Sequence, residues 1–153
     1  MSRTIATADL QGQYRAANLS CEVTPYLSGS EWWKESLHNR PNGPLHLHHI
    51  FGRGADCEVW HNWIMVSPTV HAFIHDIDPN LGRLCCLYAK YHKHHRMEWE
   101  HACFNTALPL FPEWKPEDSL IQDVPEWIDR HYHDWPEANQ KMADTLKAVI
   151  HND

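Results

Sequence analysis

Four histidines and one asparagine form the part of this chain that could do chemistry: His48, His49, Asn62, His71 and His75. Imidazole nitrogen is a common ligand of divalent metals, and a catalytic metal site keeps coordination positions open beside its protein ligands. A divalent ion held by His48, His71 and His75 would leave room for a phosphate group and a water molecule. The neutral ring of His49 could take a proton from that water. The spacing therefore indicates a metal-assisted phosphodiesterase.

Three polar residues close to these histidines could support the same reaction. Asn62 can hydrogen-bond to backbone groups across a hairpin and hold the loop that aims His49. The guanidinium of Arg53 could reach phosphate oxygens. On a regular strand His46 points the same way as His48, so it could be a fourth ligand, could orient a ligand, or could merely flank the site.

The segment around these residues predicts two strands followed by a helix. Residues 45–48 alternate apolar and polar side chains, as a half-buried strand does, and glycines punctuate the chain at 52–54. A second strand over about 58–65 would close a hairpin. The pair Ser67-Pro68 is a helix-start signal, which puts the last two histidines one turn apart on a helix face.

The rest of the chain predicts helices interrupted by turns. Expected elements are a short helix at 9–19, a strand at 21–24, a helical turn at 31–38, a helix from about 78 with an apolar stripe to 102, and a final helix over about 137–150. We divide the single expected domain into a lead-in at 1–44, a core at 45–105 and a proline-interrupted extension at 106–153. The expected fold class is α+β.

Charge and cysteine content limit the possible classes of protein. The formal net charge is −7, but residues 112–153 hold ten Asp and Glu against four Lys and Arg, so the acidity belongs mainly to the extension and does not exclude a nucleic-acid partner. Five cysteines without a C-x-x-C pair argue against a disulfide framework or a zinc ribbon. The sequence shows no apolar run of membrane-spanning length and no secretory signal, so we expect a cytoplasmic protein with no membrane contact.

The central segment resembles a known family of nucleases. His49, Asn62 and His71 match the three letters of the HNH endonuclease signature, and residues 45–76 resemble its ββα-metal finger. The step from Asn62 to His71, together with the additional His75, is similar to the arrangement in colicin-type nucleases. The resemblance covers about a fifth of the chain. It implies a ββα-metal finger embedded in a mostly helical small domain.

The resemblance assigns a role to each residue of the set. It implies His48, His71 and His75 as metal ligands, His49 as general base and Asn62 as organiser of the loop. It also implies cleavage of DNA to leave 5′-phosphate and 3′-hydroxyl ends. An acidic residue is common in the family where His48 stands, so the ion is open among Mg, Mn, Ni, Co and Zn; three imidazoles favour Zn, Ni or Co over Mg.

Basic residues farther along the chain raise the question of DNA contact. Lys90, Lys93 and Arg96 could bind phosphates beside the site, or could belong to a solvated helix face, since Glu98 and Glu100 follow. Small HNH proteins are often of phage or mobile-element origin, so the resemblance implies a larger phage or mobile-element protein as a partner and, for a viral protein, the host cytoplasm as location. The alternatives are a non-catalytic metal-stabilised DNA-binding module and a partner-dependent subunit of a larger complex.

Overall fold

The computed structural model describes residues 2–38, 44–52, 58–105, 116–134 and 136–151. Within these ranges the protein is mostly helical and contains a two-stranded antiparallel sheet, so the α+β class is confirmed. The elements are α1 (Ser2–Ala17), α2 (Glu31–Trp33), β1 (His46–His49), β2 (Trp63–Val66), α3 (Pro68–Ala72), α4 (Pro79–Lys93), α5 (Arg96–Asn105), α6 (Asp118–Gln122), α7 (Val124–His133) and α8 (Pro136–His151).

Shorter helical turns extend or connect these elements. Turns of 3-10 helix occupy Thr24–Leu27 and Trp60–Asn62, the second directly before β2. π-Helical turns continue α2 through Lys34–His38 and α3 through Phe73–Ile77. A π-helical turn is rare and often marks a functional segment, and the second one carries a histidine of the candidate site.

The two strands pair from His46 opposite Val66 to His49 opposite Trp63. Alternate residues of a strand face opposite sides of a sheet. One side therefore carries Leu47 with Trp63 and Met65, which form a small apolar cluster near α1. The other side carries His46 and His48 and faces the main core and α3.

Both helix starts expected around the site are confirmed. The hydroxyl of Ser67 accepts a hydrogen bond from the backbone N–H of Val70 at 3.3 Å, and Pro68 occupies the first helical position of α3. Asp78 caps α4 in the same way by accepting from the N–H of Leu81 at 3.2 Å. Side-chain capping satisfies N–H groups that the first helical turn leaves unpaired.

Aromatic side chains join the segments before and after the sheet in one core. Phe73 is fully buried and meets Trp33 edge to face, with ring centroids 5.5 Å apart. Trp32 stacks on Tyr132 of α7 at 4.0 Å. The carboxylate of Asp129, also on α7, accepts hydrogen bonds from the start of α2. The extension therefore packs onto the lead-in.

Several local expectations differ from the structure. The second strand begins at Trp63 and not near 58, because a 3-10 turn occupies Trp60–Asn62. Residues 21–24 do not form a strand, because the chain turns into the 3-10 helix that contains Pro25, a residue without a backbone N–H for a strand ladder. The helix expected to run through 102 is broken at His94, whose backbone is extended. Trp63 and Phe73 are buried, whereas Trp60 is 42% exposed.

The described helices do not include one whose length and hydropathy would let it cross a bilayer.

Close packing at Gly82 controls how α4 meets the π-helical turn after α3. A Cβ atom at this position would lie 2.8 Å from the Cα of Ile74. We expect Gly82→Ala to lower the free energy of unfolding by about 1–3 kcal/mol, because it overpacks a buried helix contact. Gly12→Ala is the matched control: nothing lies within 4 Å of its added methyl group, and α1 should gain about 0.5–1 kcal/mol. Urea denaturation measures both; equal stability of Gly82→Ala and wild type would contradict this packing.

Candidate metal centre

Three histidines from different elements meet on one side of the sheet. His48 comes from β1, His71 from α3 and His75 from the π-helical turn that follows α3. One ring nitrogen of each lies within 4.8 Å of the others. The rings of His71 and His75 are 4.4 Å apart between centroids, and those of His48 and His75 are 5.1 Å apart.

Local sequence explains why these side chains meet. Strand alternation points His48 towards α3. The Ser67 cap starts α3 immediately after β2, and the N–H of His71 donates to the carbonyl of Ser67 at 2.8 Å. His75 follows one turn later on the same face, since residues four apart on a helix are neighbours. The helix therefore holds two imidazoles against the strand that holds the third.

The donor set and its exposure fit a divalent metal ion. Zinc–nitrogen bonds of about 2.0–2.1 Å place tetrahedral ligands about 3.4 Å apart. Side-chain rotations can close the observed separation of up to 4.8 Å to that value. His48 is buried, His71 is half-buried and His75 is exposed. The cluster is thus closed on the core side and open towards solvent.

The surroundings of His48 keep its ring in the neutral form that binds a metal. Burial, together with the neighbouring His75 and His71, lowers the pKa of His48 to about 3. The ring is consequently neutral at physiological pH. A neutral ring offers a lone pair to a metal without first having to lose a proton.

Asn62 makes the loop contacts that the sequence analysis expects of it. It is completely buried, and its amide oxygen accepts from the N–H of Phe51 at 2.7 Å. Its amide nitrogen donates to the carbonyl of Gly52 at 3.0 Å, and its own carbonyl accepts from Ile50. Gly52 has a φ of +102°, which an L side chain rarely adopts. Asn62 therefore fixes the three residues that follow His49.

His49 lies on the opposite side of the strand from His48. Its Nε2 is 2.9 Å from a carboxylate oxygen of Glu58, whose other oxygen accepts a hydrogen bond from Gln11 of α1 at 2.6 Å. The side chain of His49 is only 8% exposed. Its charge still contributes to lowering the pKa of His48, so the two rings lie within electrostatic reach. The structure thus brings the three expected ligands together. The expected base, His49, follows His48 on the strand and lies on the opposite face.

His46 flanks the cluster. It is exposed, and its ring lies almost parallel to that of His71, with centroids 4.6 Å apart and 5° between the planes. Among the described residues, the close group of donor atoms contains the other three histidines and not this one. Of the roles left open for His46, the structure favours flanking the cluster, in ring contact with His71.

The position of Lys90 in the structure does not favour a contact with DNA phosphate. Lys90 is 1% exposed, and its ammonium donates to the hydroxyl of Tyr14 at 3.0 Å and to the carbonyl of Trp60 at 3.3 Å. Burial lowers its pKa to about 8. The side chain points into the domain, because α4 turns this face towards α1 and the segment before β2.

The other expected phosphate contacts differ in their surroundings. Lys93 forms an ion pair with Glu22. Arg96 pairs with Glu100 at 2.8 Å and with Asp118 at 2.9 Å. Both cations thus meet carboxylates of the same chain. Arg53 lies outside the described residues.

Two residues that the sequence analysis did not single out lie at the site. Glu58 reaches His49 across the loop between the strands. The guanidinium of Arg83 on α4 donates to the carbonyl of Ile50 at 3.2 Å and lies over the ring of Phe51. Neither residue belongs to a periodic pattern. The one sequence signal for Glu58 was its nature and position: it is a carboxylate close in sequence to the candidate histidines.

The three clustered histidines should bind a divalent ion together. We expect His48→Ala and His75→Ala each to weaken Zn²⁺ or Ni²⁺ binding at least about 100-fold, since loss of a residue that only supports a ligand already costs about 10–100-fold. His46→Ala is the matched control and should retain affinity within a few fold. Isothermal titration calorimetry measures all three. Equal affinities for wild type and His75→Ala would contradict the cluster.

The buried position of Lys90 predicts a pH-dependent difference in stability. The pKa of Lys90 is about 8 in the folded protein and 10.5 ordinarily. Between these pH values the unfolded chain binds more protons than the folded one. The free-energy cost of burying Lys90 therefore falls as pH rises. We expect the stability of Lys90→Met relative to wild type to fall by about 2 kcal/mol between pH 7 and pH 9.5. Comparing the two proteins by urea denaturation cancels the contribution of other groups. An unchanged difference would show that Lys90 is solvated.

Comparison with known proteins gives no relative from which a function could be carried over. No protein-family model, no curated protein and no solved structure matches the chain. The functional argument is therefore built from the side chains around His48, His71 and His75.

Proposed function

We propose that the protein is a metal-dependent DNA endonuclease of the HNH type, in which β1, β2 and α3 form a ββα-metal finger. The observation that carries the proposal is the cluster of His48, His71 and His75 beside a loop braced by Asn62. A strand, a braced loop, a second strand and a capped helix bring these residues together in the order that the signature requires. The resemblance supplies the choice of DNA as substrate.

The proposed reaction is hydrolysis of a phosphodiester. A divalent ion bound by the three histidines would supply positive charge to the phosphate and to the departing oxygen. His49 takes a proton from the attacking water, the water oxygen forms a bond to phosphorus, and the bond from phosphorus to the 3′ oxygen breaks. The 3′ oxygen then takes a proton from solvent. The products are a 5′-phosphate and a 3′-hydroxyl.

The positions of three basic residues also support a version of this function that depends on a partner protein. Lys90 is buried, and Lys93 and Arg96 pair with carboxylates of the same chain. These side chains add little to phosphate binding, which depends on basic groups that can displace counterions. A larger protein, which the resemblance implies to be of phage or mobile-element origin, would then supply most of the DNA-binding surface. We place this activity in the cytoplasm.

Cleavage of supercoiled plasmid tests the proposed enzyme. We expect nicked or linear product with at least one of Mg²⁺, Mn²⁺, Ni²⁺, Co²⁺ or Zn²⁺ and none with EDTA. His49→Ala should bind metal normally and cut about 10²–10⁴-fold more slowly, the usual contribution of a general base. His101→Ala, the same substitution at an exposed position on α5, should cut at the wild-type rate.

Two results would contradict the proposal. A wild-type protein that binds metal but leaves plasmid and short duplexes intact with every ion, alone and at high protein concentration, would exclude an intrinsic nuclease. Wild-type rates for a folded, metal-bound His49→Ala would exclude His49 as the base.

A further inference from the structure

We propose that Glu58 is a positioning residue for His49: its carboxylate fixes the ring with a proton on Nε2, so that Nδ1 accepts the proton of the attacking water. This inference deepens the proposed function and rests on it for the catalytic step. The arrangement of His49, Glu58 and Gln11 is itself a feature of the fold and can be measured without any nuclease assay.

The contact distances determine which ring nitrogen carries a proton. Nε2 of His49 is 2.9 Å from Oε1 of Glu58. An ionised carboxylate only accepts hydrogen bonds, so Nε2 must be the donor. A neutral imidazole has one N–H, and Nδ1 is then left with its lone pair. The contact thereby selects one tautomer of His49.

Gln11 holds the carboxylate in place from the other side. Its side-chain nitrogen donates to Oε2 of Glu58 at 2.6 Å. Both oxygens of Glu58 are thus engaged, one by α1 and one by His49. The side chain of Glu58 is 21% exposed and that of His49 is 8% exposed. Limited exposure strengthens such a pair, because water competes for it less.

The second nitrogen of His49 is left to accept a proton. Within the described part of the chain, Nδ1 is buried and makes no hydrogen bond. Leaving a buried acceptor unpaired costs about 1–3 kcal/mol, so such an atom needs a reason. A water molecule bound there would satisfy the lone pair and would be the molecule that His49 activates.

The same contact stabilises the charge that develops during the reaction. When Nδ1 takes the proton from water, His49 becomes a cation and keeps the proton on Nε2. The carboxylate of Glu58 faces that cation at hydrogen-bond distance. No proton moves to Glu58. The pair therefore stabilises the transition state more than the ground state, as a catalytic interaction must.

Nitrogen-15 NMR of histidine-labelled protein tests the tautomer directly. The signals of His49 are assigned by their loss in His49→Ala, and neutral rings show which nitrogen carries the proton. We expect wild type to show the Nε2–H form and Glu58→Gln to show a mixture or the opposite form. Glu31→Gln, at an exposed carboxylate of α2, should leave the ring signals unchanged. A neutral His49 protonated on Nδ1 in wild type would overturn the proposal, whether or not the protein cuts DNA.

Kinetics on a short duplex test the consequence for catalysis. We expect Glu58→Gln to lower kcat by at least about tenfold, towards the 10²–10⁴-fold effect of removing a base, while KM and metal affinity stay within a few fold. Gln11→Leu should reduce kcat less, because Glu58 keeps its charge. Wild-type kcat in Glu58→Gln would overturn the positioning role. An inactive wild type that shows the Nε2–H tautomer would overturn the proposed function and leave the Glu58 contact standing.

Discussion

The arrangement of the site depends on the pairing register of β1 with β2. His48 lies opposite Ile64, and the ladder continues through the hydrogen bond from the N–H of Ile50 to the carbonyl of Asn62. A shift of one residue would exchange the two faces of the strand and turn His48 away from α3. Since the Asn62 side chain also bonds to the next two residues of the loop, it stabilises this register at the end of the strand. The buried amide of Asn62 therefore helps to keep His48, and not His49, on the face of the sheet that carries the histidine cluster.

A second polar network attaches α1 to the sheet and to α4. The carboxylate of Glu22 accepts a hydrogen bond from the N–H of Met65 and another from the hydroxyl of Tyr14, both at 2.6 Å. Lys90 and Lys93 complete the network from α4. Because a buried charge needs partners, Lys90 is held by contacts within the domain, and Lys93 pairs with a carboxylate of the same network. The network also positions the helix that brings Gln11 to the candidate base.

Local signals account for what the sequence could predict. The strand pair, the Ser67 cap, the Asp78 cap and the one-turn spacing of His71 and His75 depend on neighbours within a few residues, and all are found in the structure. The orientation of Lys90 could not be predicted, because its main partner is Tyr14, 76 residues away. For the same reason the sequence did not identify the contact between Glu58 and Gln11. Helical periodicity identifies a face of a helix, but only the packing of other elements decides whether that face meets water.

The environment of the cluster favours a catalytic site over a purely structural one. Structural zinc sites close their coordination with four protein ligands. In the described residues the donor group contains three histidines, and exposure increases from His48 to His75. A structural site would also give no reason to keep His49 beside the cluster with a carboxylate on one nitrogen and a buried, unpaired lone pair on the other. An open cluster of three possible metal ligands, with His49 nearby on the other face of the same strand, supports the proposed phosphodiester hydrolysis.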